Sequence, residues 1–226
     1  MVQPAQMADR DLARFIDHTL LGAQVTEEDV VRACDEARKY GFAAVCVRAR
    51  HVALCARLLE GAAPKPIAVV GFPSGTETTA AKASEAREAV RAGAAEIDMV
   101  LQVGQLKGKN YASVESDIRQ VVEEARPSAV KVILETGALT RDEKVIGCAL
   151  AKAAGAAFVK TSTGFGPGGA TVEDVALMRQ VVGLDMGVKA SGGVRTAADA
   201  RKMLQAGANR LGTSASVAIV TAGGSA

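Results

Sequence analysis

Ionisable side chains interrupt several short apolar runs, where charge is costly. Asp17 lies in Phe-Ile-Asp-His-Thr-Leu, Asp98 in Glu-Ile-Asp-Met-Val and Lys131 in Val-Lys-Val-Ile. Lys160 lies in Phe-Val-Lys-Thr-Ser and Lys189 in Gly-Val-Lys-Ala-Ser. Lysine and aspartate are almost never fully buried unless paired, and an isolated buried ion is very unfavourable. Any one of these residues has a structural reading, as a buried ion pair or a side chain reaching out at a strand end. Aiming all of them at one interior does not, because apolar residues there would serve stability better.

Imine formation is the chemistry that fits. A lysine attacks a carbonyl only as the neutral amine, and its reference pKa is about 10.4. A second ammonium about 4 Å away, at an effective dielectric near 20, costs roughly 4 kcal/mol. At about 1.36 kcal/mol per pKa unit that is about three units. Crowding lysines together therefore makes one of them nucleophilic. Spacing leaves open which of Lys131, Lys160 and Lys189 attacks.

A second group of residues suits an anion. Thr161-Ser-Thr-Gly-Phe-Gly-Pro-Gly-Gly, Ser191-Gly192-Gly193 and Gly212-Thr213-Ser214 are rich in glycine and hydroxyls. Each alone reads as an ordinary tight turn. Together, after the sixth, seventh and eighth strands, they read as a phosphate cradle built on backbone N–H groups. The Gly166–Gly169 stretch reads as a mobile lid rather than part of the cradle. His18 and His51 lack metal-ligand spacing, so no metal is expected. Cys46 reads as a small core residue rather than a reactive thiol.

These residues need a scaffold that points them inward. Candidate strands are Phe15–Leu20, Phe42–Val47, Pro66–Gly71, Glu96–Leu101, Val130–Glu135, Ala157–Thr161, Gly187–Ala190 and Arg210–Gly212. Helical stretches separate them. Thr26, Thr140, Thr171 and Thr196 each precede an acidic residue by three positions, the spacing of a capping box or its Asp variant. Gly41, Gly93, Gly155 and Gly207 stop helices ahead of strands. Strands alternating with helices demand parallel pairing and right-handed crossovers. Eight such units close most economically into a single-domain α/β protein, a (β/α)8 TIM barrel spanning 1–226, although an open doubly wound sheet of eight strands satisfies the same alternation. No GxGxxG follows the first strand, as an open nucleotide-binding sheet would often show. The ends, about 1–8 and 222–226, are expected to be flexible, and Ser216–Thr221 forms a short last helix.

Composition narrows the partners. The 226 residues are 49% hydrophobic and 23% charged, as in a globular chain, and the net charge is only +2 without basic clusters. That argues against a nucleic-acid footprint or an electrostatic membrane anchor. No apolar run is long enough for a span or a leader, and the unpaired cysteines fit a reducing compartment; a cytoplasmic location is expected. Two-fold assemblies are common, so a homodimer is the default expectation.

Several segments resemble signatures of the deoxyribose-phosphate aldolase family. They are Ile16-Asp-His-Thr-Leu-Leu, Glu96-Ile-Asp-Met-Val, Lys131-Val-Ile-Leu-Glu-Thr-Gly, Phe158-Val-Lys-Thr-Ser-Thr-Gly-Phe and Val188-Lys-Ala-Ser-Gly-Gly-Val-Arg-Thr. They occur in the family's order and cover essentially the whole chain. The resemblance implies a class I aldolase barrel that cleaves 2-deoxy-D-ribose 5-phosphate to glyceraldehyde 3-phosphate and acetaldehyde, without metal or organic cofactor. It implies that Lys160 forms the Schiff base, that Lys189 depresses its pKa and that Asp98 is the general acid/base acting through water. Lys131 and Asp17 would complete the relay. Gly164, Gly193 and Ser214, with Gly192 beside them, would hold the phosphate. The sequence departs from the family pattern at Gln102, at Arg48-Ala49 and at Ala215-Ser216, and it lacks a terminal Tyr. Rival readings are a Schiff-base aldolase for another sugar phosphate and a sugar-phosphate-binding protein without catalysis.

Overall fold

The computed structural model describes residue 4 and residues 7–223. Eight parallel strands pair in sequence order and close into a barrel. They are β1 (Ile16–Leu20), β2 (Ala44–Val47), β3 (Lys65–Val70), β4 (Glu96–Val100), β5 (Ala129–Ile133), β6 (Phe158–Lys160), β7 (Gly187–Ser191) and β8 (Arg210–Thr213). The helices are α1 (Glu27–Tyr40), α2 (Val52–Leu58), α3 (Thr79–Arg91), α4 (Val103–Lys107), α5 (Tyr111–Glu124), α6 (Arg141–Ala153), α7 (Val172–Val182), α8 (Ala197–Gln205) and α9 (Ser216–Thr221). The fold is the (β/α)8 barrel expected from the alternation of strand and helix.

Local chemistry sets the boundaries. Thr26, Thr140 and Thr196 form complete capping boxes with Asp29, Glu143 and Asp199. Thr171 caps through the Asp174 N–H, but the Asp174 carboxylate turns to Lys144 at 2.6 Å, so that box stays half-made. Thr78 caps α3 without an acidic partner at the third position, which is why spacing did not mark it. Gly41 takes a left-handed conformation (φ 74°) at the end of α1, turning the chain back toward β2.

Six strands lie within one residue of expectation at each end, and two differ by two residues at one end. β2 starts at Ala44 because Phe42 packs outside the barrel against the rings of His18 and Tyr40, at 5.3 and 5.8 Å. β5 stops at Ile133, short of Glu135, whose backbone is left-handed (φ 58°).

Apolar side chains fill two places. The larger cluster lies between barrel and helices, and includes Val45, Ile97, Val132, Val159 and Val188. A smaller one of Leu21, Ala44, Cys46, Ile67 and Val69 is packed by Phe72. The expected loose ends fall largely outside the described residues. Within them, Met7 is buried and its carbonyl accepts hydrogen bonds from Arg201 at 2.7 and 3.2 Å.

Candidate active site

Strand register brings the charges together. Asp98 on β4 pairs in register with Lys131 on β5, and Lys160 on β6 pairs with Lys189 on β7. Lys131 itself is level with Phe158, so Lys160 stands two residues further along, nearer the C-terminal end of the barrel. Asp98 is the hub. Its Oδ1 accepts from Lys131 Nζ at 2.9 Å, and its Oδ2 accepts from Lys160 Nζ at 2.8 Å and Lys189 Nζ at 2.7 Å. Lys189 also meets Asp17 at 2.5 Å.

Sequence reasoning overlooked two members of this network. Glu96 reaches Lys131 at 2.5 Å, and Arg210 reaches Asp17 at 2.7 Å and Glu96 at 3.1 Å. Both open their strands, β4 and β8, where a charge passes for an ordinary strand-end residue. Arg210 and Lys131 also flank the Phe158 ring, at 5.6 and 5.8 Å from its centroid.

Electrostatics separates the lysines. Burial is the main influence lowering the Lys160 pKa below the ordinary lysine value; the Lys189 ammonium adds to it and Asp98 opposes it. Burial thus acts beside, and ahead of, the neighbouring ammonium on which the expected imine chemistry rested. Burial also pulls Lys189 down, but Asp17 and Asp98 overcome it, and Lys189 is held charged above the usual lysine range. Burial alone would raise the Asp98 carboxyl, yet Lys131, Lys160 and Lys189 together hold it well below the carboxylate range. Asp17 and Glu96 are lowered in the same way, against burial, by Lys189, Lys131 and Arg210 for the first and by Lys131 and Arg210 for the second.

Only one of the three lysines reaches open space. Lys160 lines a cavity of about 500 Å³ together with Gly164, Gly192, Gly193, Arg195 and Ser214. Lys131 and Lys189 are fully buried and do not line it. Cavity and network therefore meet at a single amine. A family model described as DeoC/LacD family aldolase matches residues 12–223. The chain belongs to the DeoC/LacD aldolase family. Its relatives include a deoxyribose-phosphate aldolase of Clostridium novyi (strain NT), 56% identical over 211 residues, 93% of this chain and 95% of that protein. Another, from Thermococcus kodakarensis, is 54% identical and covers 95% of this chain and 97% of its own. The solved structure of the tetrameric deoxyribose phosphate aldolase of Aeropyrum pernix superposes with a TM-score of 0.89 at 34% identity, covering 95% of this chain and 92% of its own.

Of the remaining candidates of this DeoC/LacD family member, Gly164, Gly192, Gly193 and Ser214 line the cavity. Gly164, Gly192 and Gly193 have φ of 84°, 86° and 82°, a conformation that disfavours any side chain with a β-carbon. The 166–169 stretch, expected to be a mobile lid, packs against Gly192 in this structure. A β-carbon on Gly169 would lie 2.5 Å from the Gly192 carbonyl oxygen, and Ala170 N–H donates to that oxygen at 2.9 Å. Cys46 is buried and its thiol is pushed up to about 11, chiefly by burial, so it behaves as a small core residue. His18 is held between Ser216 Oγ and Glu36, both at 2.9 Å, while His51 Nε2 accepts from Arg50. Among the described residues no cluster of His, Cys, Asp and Glu could hold a metal ion, and no helix is long and apolar enough to cross a membrane. At the departures from the family pattern, Gln102 donates to Asp117 at 3.0 Å. Ala215 N–H donates to Thr213 Oγ1 at 2.9 Å, and Arg48 donates to the Leu21 carbonyl at 2.8 Å.

Proposed function

We propose that the chain is a class I aldolase that reversibly cleaves 2-deoxy-D-ribose 5-phosphate to D-glyceraldehyde 3-phosphate and acetaldehyde, with Lys160 as the Schiff-base lysine. The observation that carries this reading is the meeting of a depressed, cavity-lining amine with a carboxylate bonded to it at 2.8 Å.

The neutral Lys160 amine adds to the aldehyde carbon of the open-chain sugar, and loss of water gives an iminium. Asp98, acting through a water, takes the proton of the 3-hydroxyl. The C2–C3 bond breaks, its electron pair moves into the iminium, and glyceraldehyde 3-phosphate leaves. The enamine left on Lys160 is protonated at carbon and hydrolysed, releasing acetaldehyde and the free amine. Lys189 keeps a positive charge beside the reacting nitrogen, which favours the neutral form of Lys160. Lys131 and Asp17 hold the carboxylate and the second ammonium in place. Gly164, Gly192, Gly193 and Ser214, which line the same cavity, take the phosphate. The reaction belongs to nucleoside breakdown in the cytoplasm, and the chain self-associates, at least as a homodimer.

The test is direct. Purified protein supplied with 2-deoxyribose 5-phosphate is expected to release acetaldehyde and glyceraldehyde 3-phosphate in equal amounts. Lys160→Leu is expected to lower kcat by roughly 10³-fold or more, as for loss of a covalent nucleophile. Full activity in that variant would remove Lys160 from the mechanism.

A further inference from the structure

Glu135 sits just beyond β5 and combines features that stability alone would not favour. It is 7% exposed, and its backbone is left-handed, with φ 58° and ψ 61°. Residues bearing a β-carbon seldom adopt that conformation, and such strain gathers at ligand clamps. One carboxylate oxygen, Oε1, is buried with no hydrogen-bond partner among the described residues. A buried, half-satisfied carboxylate is unfavourable unless it does something an apolar residue cannot.

Its other oxygen is fully used. Oε2 accepts from the Thr163 hydroxyl at 2.5 Å and from the Thr163 N–H at 3.4 Å. A carboxylate only accepts, so the Thr163 hydroxyl must donate its proton to Glu135. That leaves the lone pairs of Thr163 Oγ1 free, and they accept from the N–H groups of Phe165 and Gly166 at 3.0 and 3.2 Å. Three of the four backbone N–H groups of residues 163–166 are thereby spoken for. The remaining one belongs to Gly164, which lines the cavity and has φ 84°. Gly166 closes against the same carboxylate, since a β-carbon there would lie 2.6 Å from Glu135 Cδ.

We infer that Glu135 is a positioning residue that, through Thr163, sets the 163–166 turn so that Gly164 N–H is presented to the substrate phosphate, and that it thereby determines the preference for phosphorylated substrates. Glu135 touches no reacting atom. It fixes the direction of one hydroxyl, and that hydroxyl fixes the turn. The inference rests on the reading of this cavity as a sugar-phosphate site.

The readout is the ratio of kcat/KM for 2-deoxyribose 5-phosphate to kcat/KM for unphosphorylated 2-deoxyribose. Damage to the fold or to the lysine network moves both numbers together and leaves their ratio in place. Glu135→Ala is expected to lower the ratio by about ten-fold or more, mainly through KM for the phosphorylated sugar. Glu135→Gln, whose amide oxygen still accepts from Thr163, is expected to keep the ratio within about three-fold of wild type. If Glu135→Ala does not fold, Thr163→Val removes the same hydroxyl at similar volume and is expected to show the same fall. A wild-type enzyme that prefers phosphorylated sugar, with the preference intact in the Ala variant (or in the Val variant where that replaces it), overturns the role of Glu135 alone. A wild-type enzyme with no such preference removes the phosphate reading and this inference together.

Discussion

At the residue scale, the site works by giving chemically identical side chains different environments. Lys160 and Lys189 share the Asp98 Oδ2 atom, at 2.8 and 2.7 Å, yet their pKa values move in opposite directions. Lys189 has a second carboxylate, Asp17, and Lys160 does not. Replacing Lys189 tests this tuning with a definite sign. Lys189→Met removes an ammonium that lowers the Lys160 pKa and leaves Asp98 with one fewer cation, and both changes raise it. The neutral amine fraction then appears at higher pH. The ascending limb of kcat/KM against pH is expected to shift to higher pH in the variant. A limb that stays put or moves to lower pH would show that Lys189 does not tune the nucleophile. The sequence showed these charges because ions stand out in apolar strands. It could not rank the lysines: a two-residue offset between β5 and β6 sets Lys160 apart from Lys131, whereas Lys189 is level with Lys160 and is instead held between Asp17 and Asp98.

At the element scale, a second buried ion pair ties the helices to the barrel wall. Lys82 on α3 donates to Asp117 on α5 and to the Val100 carbonyl at the end of β4, each at 2.9 Å. Asp117 also accepts from Thr79 at 2.9 Å and from Gln102 at 3.0 Å. Gln102, a departure from the family pattern, thus joins a buried, hydrogen-bonded structural cluster. Asp117→Ala leaves the Lys82 ammonium buried without its counter-ion, and is expected to destabilise the fold by about 3–5 kcal/mol. Urea unfolding at neutral pH measures it; a loss under about 1 kcal/mol would mean that water reaches Lys82. Nothing in the sequence marks this pair, since a lysine and an aspartate on two amphipathic helices read as solvated surface. Helix starts were more legible. A Thr followed three residues later by an acid is a local signal, whereas the Thr78 cap, lacking that acid, was not seen.

At the scale of the whole molecule, barrel closure and charge depend on one another. β1 pairs with β8, which brings Asp17 beside Arg210, and Arg210 then reaches across to Glu96 on β4. Asp17, Glu96 and Asp98 all have folded pKa values below those of the unfolded chain. Between the two sets of values the unfolded chain binds more protons, so stability rises with pH there. The contribution is complete above the ordinary carboxylate range and is lost as pH falls through the folded values. Unfolding free energy is therefore expected to decline steadily below about pH 4, after the separate loss between about pH 7 and 5 that comes from His18, whose pKa burial lowers. A flat profile into that acid range would mean that these carboxylates are not held ionised by the network. Eight alternating units made the barrel itself legible, because both periodicities are local. The ring of ion pairs was legible in part: its five mid-strand members stood out, while Glu96 and Arg210 at strand starts did not.

The measurement that bears most directly on Lys160 is reductive trapping. The protein is mixed with 2-deoxyribose 5-phosphate, reduced with borohydride, and its peptides are mapped by mass spectrometry. A reduced adduct on Lys160, absent from Lys160→Leu, is the predicted result. An adduct on Lys189 or Lys131, or none at all with the substrate still bound, would contradict the assignment.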